Sequence, residues 1–353
     1  MSPLKSILVI GATGAQGMAV VRSLSRSRRY AVRAMTRSDS SADAKLISSW
    51  PNVSLFIGDC FNEADLRKAF SGVHGAFVNT NGYVTGEKGE IYWGIRMYEI
   101  AVRAGVKHWV WGSLDYSTKL GGWHERFKCG HYDGKGKVAD WVLAQPRSPM
   151  ASSVLTSGPY MELLFEFMLP RPPKAPGEPY VFVAPLGSGA VPLIHLEDLG
   201  EYGLYLFDNP STNGLDLKVA TQHVHWAELA STFTKVTGKP AEYLDVSLEE
   251  YMDKYYPAGK KAVTRKIGTD RKDPTLLTWG QNFSGFWNLF KESGGNKGLV
   301  RRDYEMLDRI HPGRVKSVGE WMKKVGYEGQ PRPVLKDWVD GGIAKGERVE
   351  ARL

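Results

Sequence analysis

Short runs of apolar and β-branched residues alternate with longer amphipathic segments through residues 1–157. The runs at residues 6–10, 30–35, 53–57, 75–78, 107–111 and 152–156 predict strands. Helical periodicity predicts helices after Gly17, after the potential cap Asn62, over residues 90–104 and over residues 131–144. Several strands are continuously apolar, which is typical of strands buried on both faces. The pattern predicts an α/β fold of the Rossmann type, with a doubly wound parallel sheet.

The character of the sequence changes after residue 158, where a Pro-rich loop at residues 170–179 is followed by short strand-like runs and helices. We expect a Rossmann domain at residues 1–157, joined by segments that return near residues 190–220. A smaller α+β substrate lobe is expected at residues 158–353, mostly helical beyond residue 250 and ending in extra helices. Its aromatic cluster fits either a packing core or a lid over an aromatic substrate. The cluster contains Trp279, Phe283, Phe286, Trp287 and Phe290.

Composition narrows the class of protein. The 42% of hydrophobic and 24% of charged residues are typical of a globular protein, and no apolar stretch is long enough for a membrane span. Two cysteines, Cys60 and Cys129, support neither a disulfide framework nor a cysteine metal site. Together with the lack of a signal-peptide pattern, they favour the cytoplasm. The net charge of +8 is spread along the chain, which favours an anionic cofactor over nucleic acid.

A glycine-rich turn follows the first predicted strand and opens the first helix. It reads Gly11-Ala12-Thr13-Gly14-Ala15-Gln16-Gly17, a G-x-x-G-x-x-G pattern. In a Rossmann domain such glycines make the tight turn, let the backbone approach the pyrophosphate, and let helix and strand pack closely. Main-chain N–H groups at the start of the helix then bind the phosphates. The position of the turn within strand–helix alternation therefore predicts a dinucleotide site.

Residues at the ends of the next strands bear on which dinucleotide binds. An acidic residue after the second strand would indicate NAD, whereas this sequence has Arg37 there. The guanidinium suits the 2′-phosphate of NADP(H), although Asp39 lies two residues further on. The third and fourth strands end at Asp59-Cys60 and at Asn79-Thr80. The carboxylate of the first pair can reach the adenine amine or cap the turn, and the second pair is expected near the ribose and nicotinamide.

These segments together resemble the NmrA-like family of atypical short-chain dehydrogenase/reductases. The resemblance covers residues 5–250 and rests on GATGAQG, Arg37, Gly58-Asp59, HYDGKGKV at 131–138, GPYME at 158–162 and PLIHLEDLG at 192–200. The tail looks like that of extended fungal members. The resemblance implies NADP(H) as the cofactor, with Pro159 and Tyr160 expected beside it. Some members of this family reduce small aromatic or phenolic compounds or act in polyketide pathways, whereas others look like redox sensors that regulate transcription factors.

Ordinary short-chain reductases carry Tyr-x-x-x-Lys on one helix, where the tyrosine donates a proton and the lysine lowers its pKa and holds the ribose. Here His131 stands in the tyrosine position and Lys135 is retained. We expect Lys135 at the nicotinamide ribose, and His131 either as a donor to a substrate carbonyl or as a core-edge histidine. Ser113, after the fifth strand, either orients the substrate or belongs to a turn. The alternative proton donors are Tyr83, Tyr116 and Tyr160.

Two functions fit these residues. The first is an NADPH-dependent reductase of a carbonyl or conjugated double bond in an aromatic or polyketide-like small molecule. The alternative is a non-catalytic NADP(H)-sensing regulator that binds a protein partner, which the missing tyrosine favours. Isomerase or lyase chemistry on the same fold stays open. No metal is expected, because His195, Asp198, His223 and His225 lack a ligand spacing.

Overall fold

A parallel sheet organises the N-terminal part of the chain. The computed structural model describes residues 4–268 and 272–335, so residues 336–353 of the expected C-terminal lobe lie outside the described residues. The strands are β1 (Lys5–Ile10), β2 (Tyr30–Thr36), β3 (Val53–Ile57), β4 (Gly75–Val78), β5 (His108–Leu114), β6 (Ala151–Ser157), β7 (Tyr180–Ala184), β8 (Val191–Leu193), β9 (Asp216–Lys218), β10 (Gln222–Val224) and β11 (Ala241–Asp245). In the described part, seven of them form a parallel sheet in the order β3-β2-β1-β4-β5-β6-β9.

Helices cover both faces of this sheet, as the doubly wound prediction requires. The helices are α1 (Ala15–Ser27), α2 (Ala42–Ser48), α3 (Glu63–Phe70), α4 (Gly82–Arg103), α5 (Ser117–Leu120), α6 (Gly130–Leu143), α7 (Leu196–Asp208), α8 (Trp226–Thr237), α9 (Leu248–Glu250), α10 (Lys260–Val263), α11 (Trp279–Lys291), α12 (Tyr304–Ile310) and α13 (Val318–Val325). One apolar layer lies between the sheet and α1 with α7, and another lies between the sheet and α3, α4 and α6. Within residues 4–268 and 272–335, no helix is long and apolar enough to cross a bilayer.

Strand β1 pairs with β2 on one side and with β4 on the other, so the order of the strands along the sheet reverses between β1 and β4. Open α/β sheets bind ligands at the carboxyl ends of the strands beside such a reversal. The glycine-rich turn follows β1 and Asn79-Thr80 follow β4, so both predicted segments lie at this position. The parallel fold predicted from the sequence is confirmed, and it brings the candidate residues to one edge.

The fourth helix corrects the sequence prediction, because α4 begins at Gly82 rather than at residue 90. The side chain of Asn81 caps it by accepting a hydrogen bond from the main-chain N–H of Tyr83 at 3.0 Å. The first turn is interrupted at Gly86, whose φ of +70° is not helical. A glycine-rich stretch without apolar periodicity gave no helical signal here. The earlier start places the beginning of α4 over the carboxyl edge of the sheet.

The C-terminal part packs on the edge of the sheet through a large aromatic core. Strands β8 and β10 pair antiparallel, and β7 and β11 pair parallel. Helix α11 begins with a capping box in which Thr278 and Gln281 bond each other's main chain. All five aromatic residues of the predicted cluster are nearly fully buried in this core. Their packing role is therefore confirmed, and two of them also reach the site described below.

Candidate active site

A cavity of about 390 Å³ runs along the carboxyl edge of the sheet, from the glycine-rich turn to the aromatic face of α11. Its cofactor end is lined by Gly11, Thr13, Gly14, Ala15, Gln16, Met35, Thr36, Arg37, Ser38, Ser41, Gly58, Asp59, Cys60, Phe61, Asn79, Thr80 and Asn81. Its other end is lined by Gly82, Tyr83, Val84, Leu114, His131, Tyr132, Lys135, Gly158, Pro159, Tyr160, Leu163, Phe167, Phe283, Phe286 and Leu335. The size is typical of a pocket for a small organic ligand.

The glycine-rich turn has the close packing that a dinucleotide site needs. Gly11 has a φ of +78°, and a Cβ atom there would lie 2.4 Å from the carbonyl oxygen of Asn79. Gly17 lies behind the turn and outside the cavity, where a Cβ atom would come within 2.1 Å of the Gly11 carbonyl oxygen. The side-chain Nε2 of Gln16 is buried and has no hydrogen-bond partner among the described residues. The turn thus fits a phosphate-bearing ligand that approaches the start of α1.

The cofactor end also contains the residues that the sequence predicts to favour NADP over NAD. Arg37 is exposed and lines the cavity beside Ser38 and Ser41. The Asp59 carboxylate accepts a hydrogen bond from the Phe61 N–H at 2.9 Å, so it caps its turn while it also lines the cavity. Both interpretations of Asp59 are compatible with this position. A guanidinium with two hydroxyls suits a ribose phosphate better than a bare ribose hydroxyl.

Lys135 lies at the centre of the cavity, and a carboxylate holds it there. Its ammonium donates at 2.9 Å to each of three acceptors, the Asn79 side chain, the Thr80 carbonyl and Glu90 Oε1. Glu90 is fully buried, and the Thr80 hydroxyl also donates to it. The second carboxylate oxygen, Oε2, is buried without a hydrogen-bond partner in the described part of the chain. This buried ion pair fixes the end of β4, where the nicotinamide half of a dinucleotide would lie.

His131 is buried against aromatic rings at the junction of the two ends of the cavity. Tyr83 packs on its imidazole with ring centroids 4.7 Å apart. The side chain of Asn282 lies against Nδ1, with Nδ2 at 2.9 Å, and the Cys129 sulfur is 3.4 Å from the same nitrogen. Burial lowers the pKa of His131 to about 4, and the nearby charge of Lys135 acts in the same direction. The imidazole is therefore neutral at physiological pH.

Besides Gly17, two predicted site residues, Ser113 and Tyr116, do not reach the cavity. Ser113 lies on β5, and its hydroxyl donates to the carbonyl oxygen of Lys135 at 3.2 Å. Trp111 donates to the same carbonyl at 3.1 Å, so both residues anchor α6 to the sheet. Tyr116 packs edge-on against the ring of Trp123 and is absent from the cavity lining. Among residues 4–268 and 272–335, no group of three or more His, Cys, Asp or Glu side chains could hold a metal ion.

The apolar end of the cavity is built from aromatic side chains of three separate segments. Tyr83 comes from α4, Tyr160 from the segment after β6, and Phe283 from α11. Tyr83 and Phe283 stack with centroids 6.2 Å apart and an angle of 10° between their planes. Burial raises the pKa of both Tyr83 and Tyr160, so neither phenol is activated as a proton donor. This end offers flat apolar surfaces with few charges.

Sequence reasoning missed Glu90 and Asn282, the partners of Lys135 and His131. Glu90 could have been noticed as a carboxylate in the apolar stripe of α4, which continues through Gly94, Met97 and Ala101 at helical spacing. Asn282 lies in an aromatic helix and carries no comparable signal. Other lining residues that the sequence analysis did not single out include Leu163, Phe167 and Leu335.

The variant His131→Gln is expected to lose less free energy of unfolding on acidification than the unmodified protein. The folded-state pKa of about 4 lies below the ordinary value, so the unfolded chain binds more protons as the pH falls from about 6.5 towards 4. Stability is therefore lost on acidification, by about 2 kcal/mol per such histidine between pH 7 and pH 5. Urea unfolding at both values measures this difference. The exposed control His124→Gln should keep the full acid loss, and an equal loss in H131Q would contradict the assignment.

The chain is similar to one protein family and to individual proteins that carry the name of that family. The family model described as "NmrA-like family" matches residues 3–265. The NmrA-like family domain-containing oxidoreductase himF of Aspergillus japonicus is 29% identical over 258 residues, covering 69% of this chain and 76% of its own length. The corresponding oxidoreductase FrzB of Cladobotryum sp. is 30% identical over 260 residues, covering 67% and 75%.

Two solved structures share the fold at lower identity. NmrA, a negative transcriptional regulator, in complex with NADP has a TM-score of 0.69 at 21% identity, covering 91% of this chain and 95% of its own. The Escherichia coli quinone oxidoreductase QOR2 complexed with NADPH has a TM-score of 0.66 at 19% identity, covering 91% and 100%. The family match includes the glycine-rich turn, Glu90, His131 and Lys135, and it ends before α11. Because this match extends over most of the chain, the protein belongs to the NmrA-like family.

Proposed function

We propose that the protein is an NADPH-dependent reductase of a carbonyl or conjugated double bond in an aromatic or polyketide-like small molecule. The observation that carries the proposal is the single continuous cavity that joins the glycine-rich turn to the aromatic end through Lys135 and His131. The oxidoreductase names of relatives near 30% identity support the same class of reaction. The bound NADP and NADPH of the two fold neighbours support the cofactor.

In such a reduction, some residues would bind the cofactor and others would stabilise the charge that develops on the substrate oxygen. NADPH would be held at the turn and Arg37, and when bound it supplies a hydride to the substrate carbon. As the carbon accepts the hydride, the electron pair of the C=O bond moves to the oxygen. The neutral imidazole of His131 stabilises that oxygen by donating a hydrogen bond, and a proton from water completes the alcohol. Lys135 and Glu90 keep Asn79 and Thr80 in place at the nicotinamide end of the site.

The test of this function is turnover. Purified protein is incubated with NADPH and a panel of quinones, aryl ketones and enones, and the loss of cofactor absorbance is followed. We expect oxidation of NADPH with at least one flat aromatic acceptor, because the apolar end is built from stacked rings. Tight binding of NADPH without turnover of any acceptor would favour the alternative of an NADP(H)-sensing regulator with a protein partner. That alternative is favoured by the likeness to the regulator NmrA and by the histidine in the tyrosine position.

Replacing Arg37 with alanine is expected to weaken NADPH binding roughly tenfold while leaving NADH binding unchanged. The guanidinium would pair with the 2′-phosphate, which NADH lacks. Calorimetric titration of both cofactors into the variant measures the two affinities. Arg67→Ala is the matched control, since Arg67 is exposed on α3 and does not line the cavity. Equal weakening of NADPH and NADH by R37A would contradict the assignment of the 2′-phosphate end.

A further inference from the structure

We propose that Asn282 is a positioning residue of this reductase, which holds His131 in the neutral form that carries its proton on Nε2. This inference rests on the proposed function for its catalytic meaning. It adds a residue from outside the segment that the family model matches, because α11 begins well after residue 265. His131 would then present Nε2–H as a hydrogen-bond donor to the substrate oxygen.

The orientation of the Asn282 carboxamide follows from its two neighbours. The main-chain N–H of His131 can only donate, and it lies 3.3 Å from Asn282 Oδ1. With the oxygen placed there, Nδ2 lies 2.9 Å and Oδ1 lies 3.1 Å from His131 Nδ1. A proton on Nδ1 could be donated to Oδ1, but the Nδ2 amino group, which can only donate, would then be buried without the one acceptor that the described residues give it. An unprotonated Nδ1 accepts from Nδ2 while Oδ1 accepts from the main-chain N–H of His131, so both ends of the carboxamide are satisfied. Asn282 is fully buried, so water does not compete for these groups.

The other groups around the ring are compatible with the same tautomer. The Cys129 sulfur lies 3.4 Å from His131 Nδ1, and burial raises the pKa of this thiol well above its ordinary value. The thiol therefore keeps its proton, which it can donate either to Nδ1 or to Asn282 Oδ1, 3.9 Å from the sulfur. The titratable groups around the imidazole are Cys129, Tyr83, Tyr132 and Lys135, with Glu90 paired to the last of them. None of these groups requires a proton on Nδ1, and the Asn282 contacts therefore place the proton of the neutral ring on Nε2.

The first measurement is made on the protein without cofactor or substrate. In protein labelled with ¹⁵N-histidine, the nitrogen chemical shifts report which ring nitrogen carries the proton, and H131Q assigns the signal among the eight histidines. We expect unprotonated Nδ1 and protonated Nε2 from pH 5 to pH 8. A proton on Nδ1, or an even mixture of the two tautomers, would overturn the inference. This result requires no activity.

The decisive variant is Asn282→Asp, which is close in size and reverses the hydrogen bond. Its carboxylate accepts from Nδ1–H, so the tautomer is expected to switch and the pKa of His131 to rise. Asn288→Asp is the matched control, because it makes the same change on α11 outside the cavity lining. An unchanged ring in N282D would overturn the inference. Should N282D fail to fold, the measurement on the unmodified protein still decides.

Kinetic measurements on N282D then show whether Asn282 positions His131 for the reaction or only stabilises the fold. With a substrate from the panel, N282D is expected to lose roughly 100-fold in kcat at pH values where its His131 is neutral, since Nε2 then lacks a proton. The loss should shrink at lower pH, where the imidazolium carries both protons, and the KM for NADPH should stay unchanged. A loss that is constant across pH would contradict the inference. If no acceptor is reduced, the proposed function fails, while the NMR result judges the tautomer separately.

Discussion

Replacing Glu90 with leucine is expected to lower the free energy of unfolding by about 3–5 kcal/mol, because it leaves the ammonium of Lys135 buried without a carboxylate. Lys135 and Glu90 are both almost fully buried, with Nζ and Oε1 2.9 Å apart. The Thr80 hydroxyl loses an acceptor in the same variant. Urea unfolding followed by circular dichroism measures the change.

A double variant makes this expectation specific to the ion pair. E90L combined with Lys135→Met replaces both charges with apolar groups, and it is expected to be more stable than E90L alone. Glu99→Leu, on the same helix but with an exposed carboxylate, should cost much less. If E90L and the double variant lose equal stability, the carboxylate serves packing rather than the charge of Lys135.

The strands and the glycine-rich turn could be predicted because their signals are local. Strands buried on both faces are continuous apolar runs, and the spacing of the glycines between Gly11 and Gly17 is visible within one short segment. Boundaries were less certain where the signal weakens. Strand β5 continues to Leu114 although its predicted run stops at residue 111, and α4 starts at Gly82 through the cap of Asn81. The first and last residues of a helix or strand depend on capping side chains and tertiary contacts, which the periodicity of apolar residues does not reveal.

The candidate site was predictable only in part. His131 and Lys135 were found because four-residue spacing places them on one face of a helix. Their partners lie 151 and 45 residues away in the sequence, so only the tertiary fold brings Asn282 and Glu90 to them. Ser113 was expected either to orient the substrate or to belong to a turn, whereas its hydroxyl donates to the carbonyl oxygen of Lys135. The position of a residue along a strand predicts which edge of the sheet it lies near. The direction of its side chain depends on which nearby polar group still needs a hydrogen-bond partner.

The C-terminal segment completes the site, and a second buried ion pair connects it to the Rossmann sheet. Arg302 donates to both oxygens of Asp115 at 3.0 and 2.7 Å, and its Nε donates to the carbonyl of Val219. Both charged side chains are essentially fully buried. Asp115 follows β5, whereas Arg302 lies between α11 and α12. The pair thus joins the segment that carries Asn282 to the part that carries His131.

Replacing Arg302 with methionine is expected to cost about 3–5 kcal/mol of unfolding free energy, since Asp115 is left as an unpaired buried charge. The neighbouring control Arg301→Met should cost little, because Arg301 is exposed and, among the described residues, its side chain bonds the main-chain carbonyls of Lys297 and Gly298. Urea unfolding of both variants measures the difference. A stability of R302M equal to that of R301M would contradict a stabilising pair.

Hydrogen exchange in R302M shows whether the ion pair fixes only the C-terminal segment to the sheet or stabilises the whole chain. If the pair fixes that segment to the sheet, hydrogen exchange should quicken in residues 279–325 while β1 and β4 stay protected, because proteins open in cooperative units. Under the proposed function, binding of NADPH at the turn after β1 should then outlast turnover at the rings of α11. Exchange that quickens equally in both parts would instead mean that the chain unfolds as one unit, and turnover and cofactor binding would fall together.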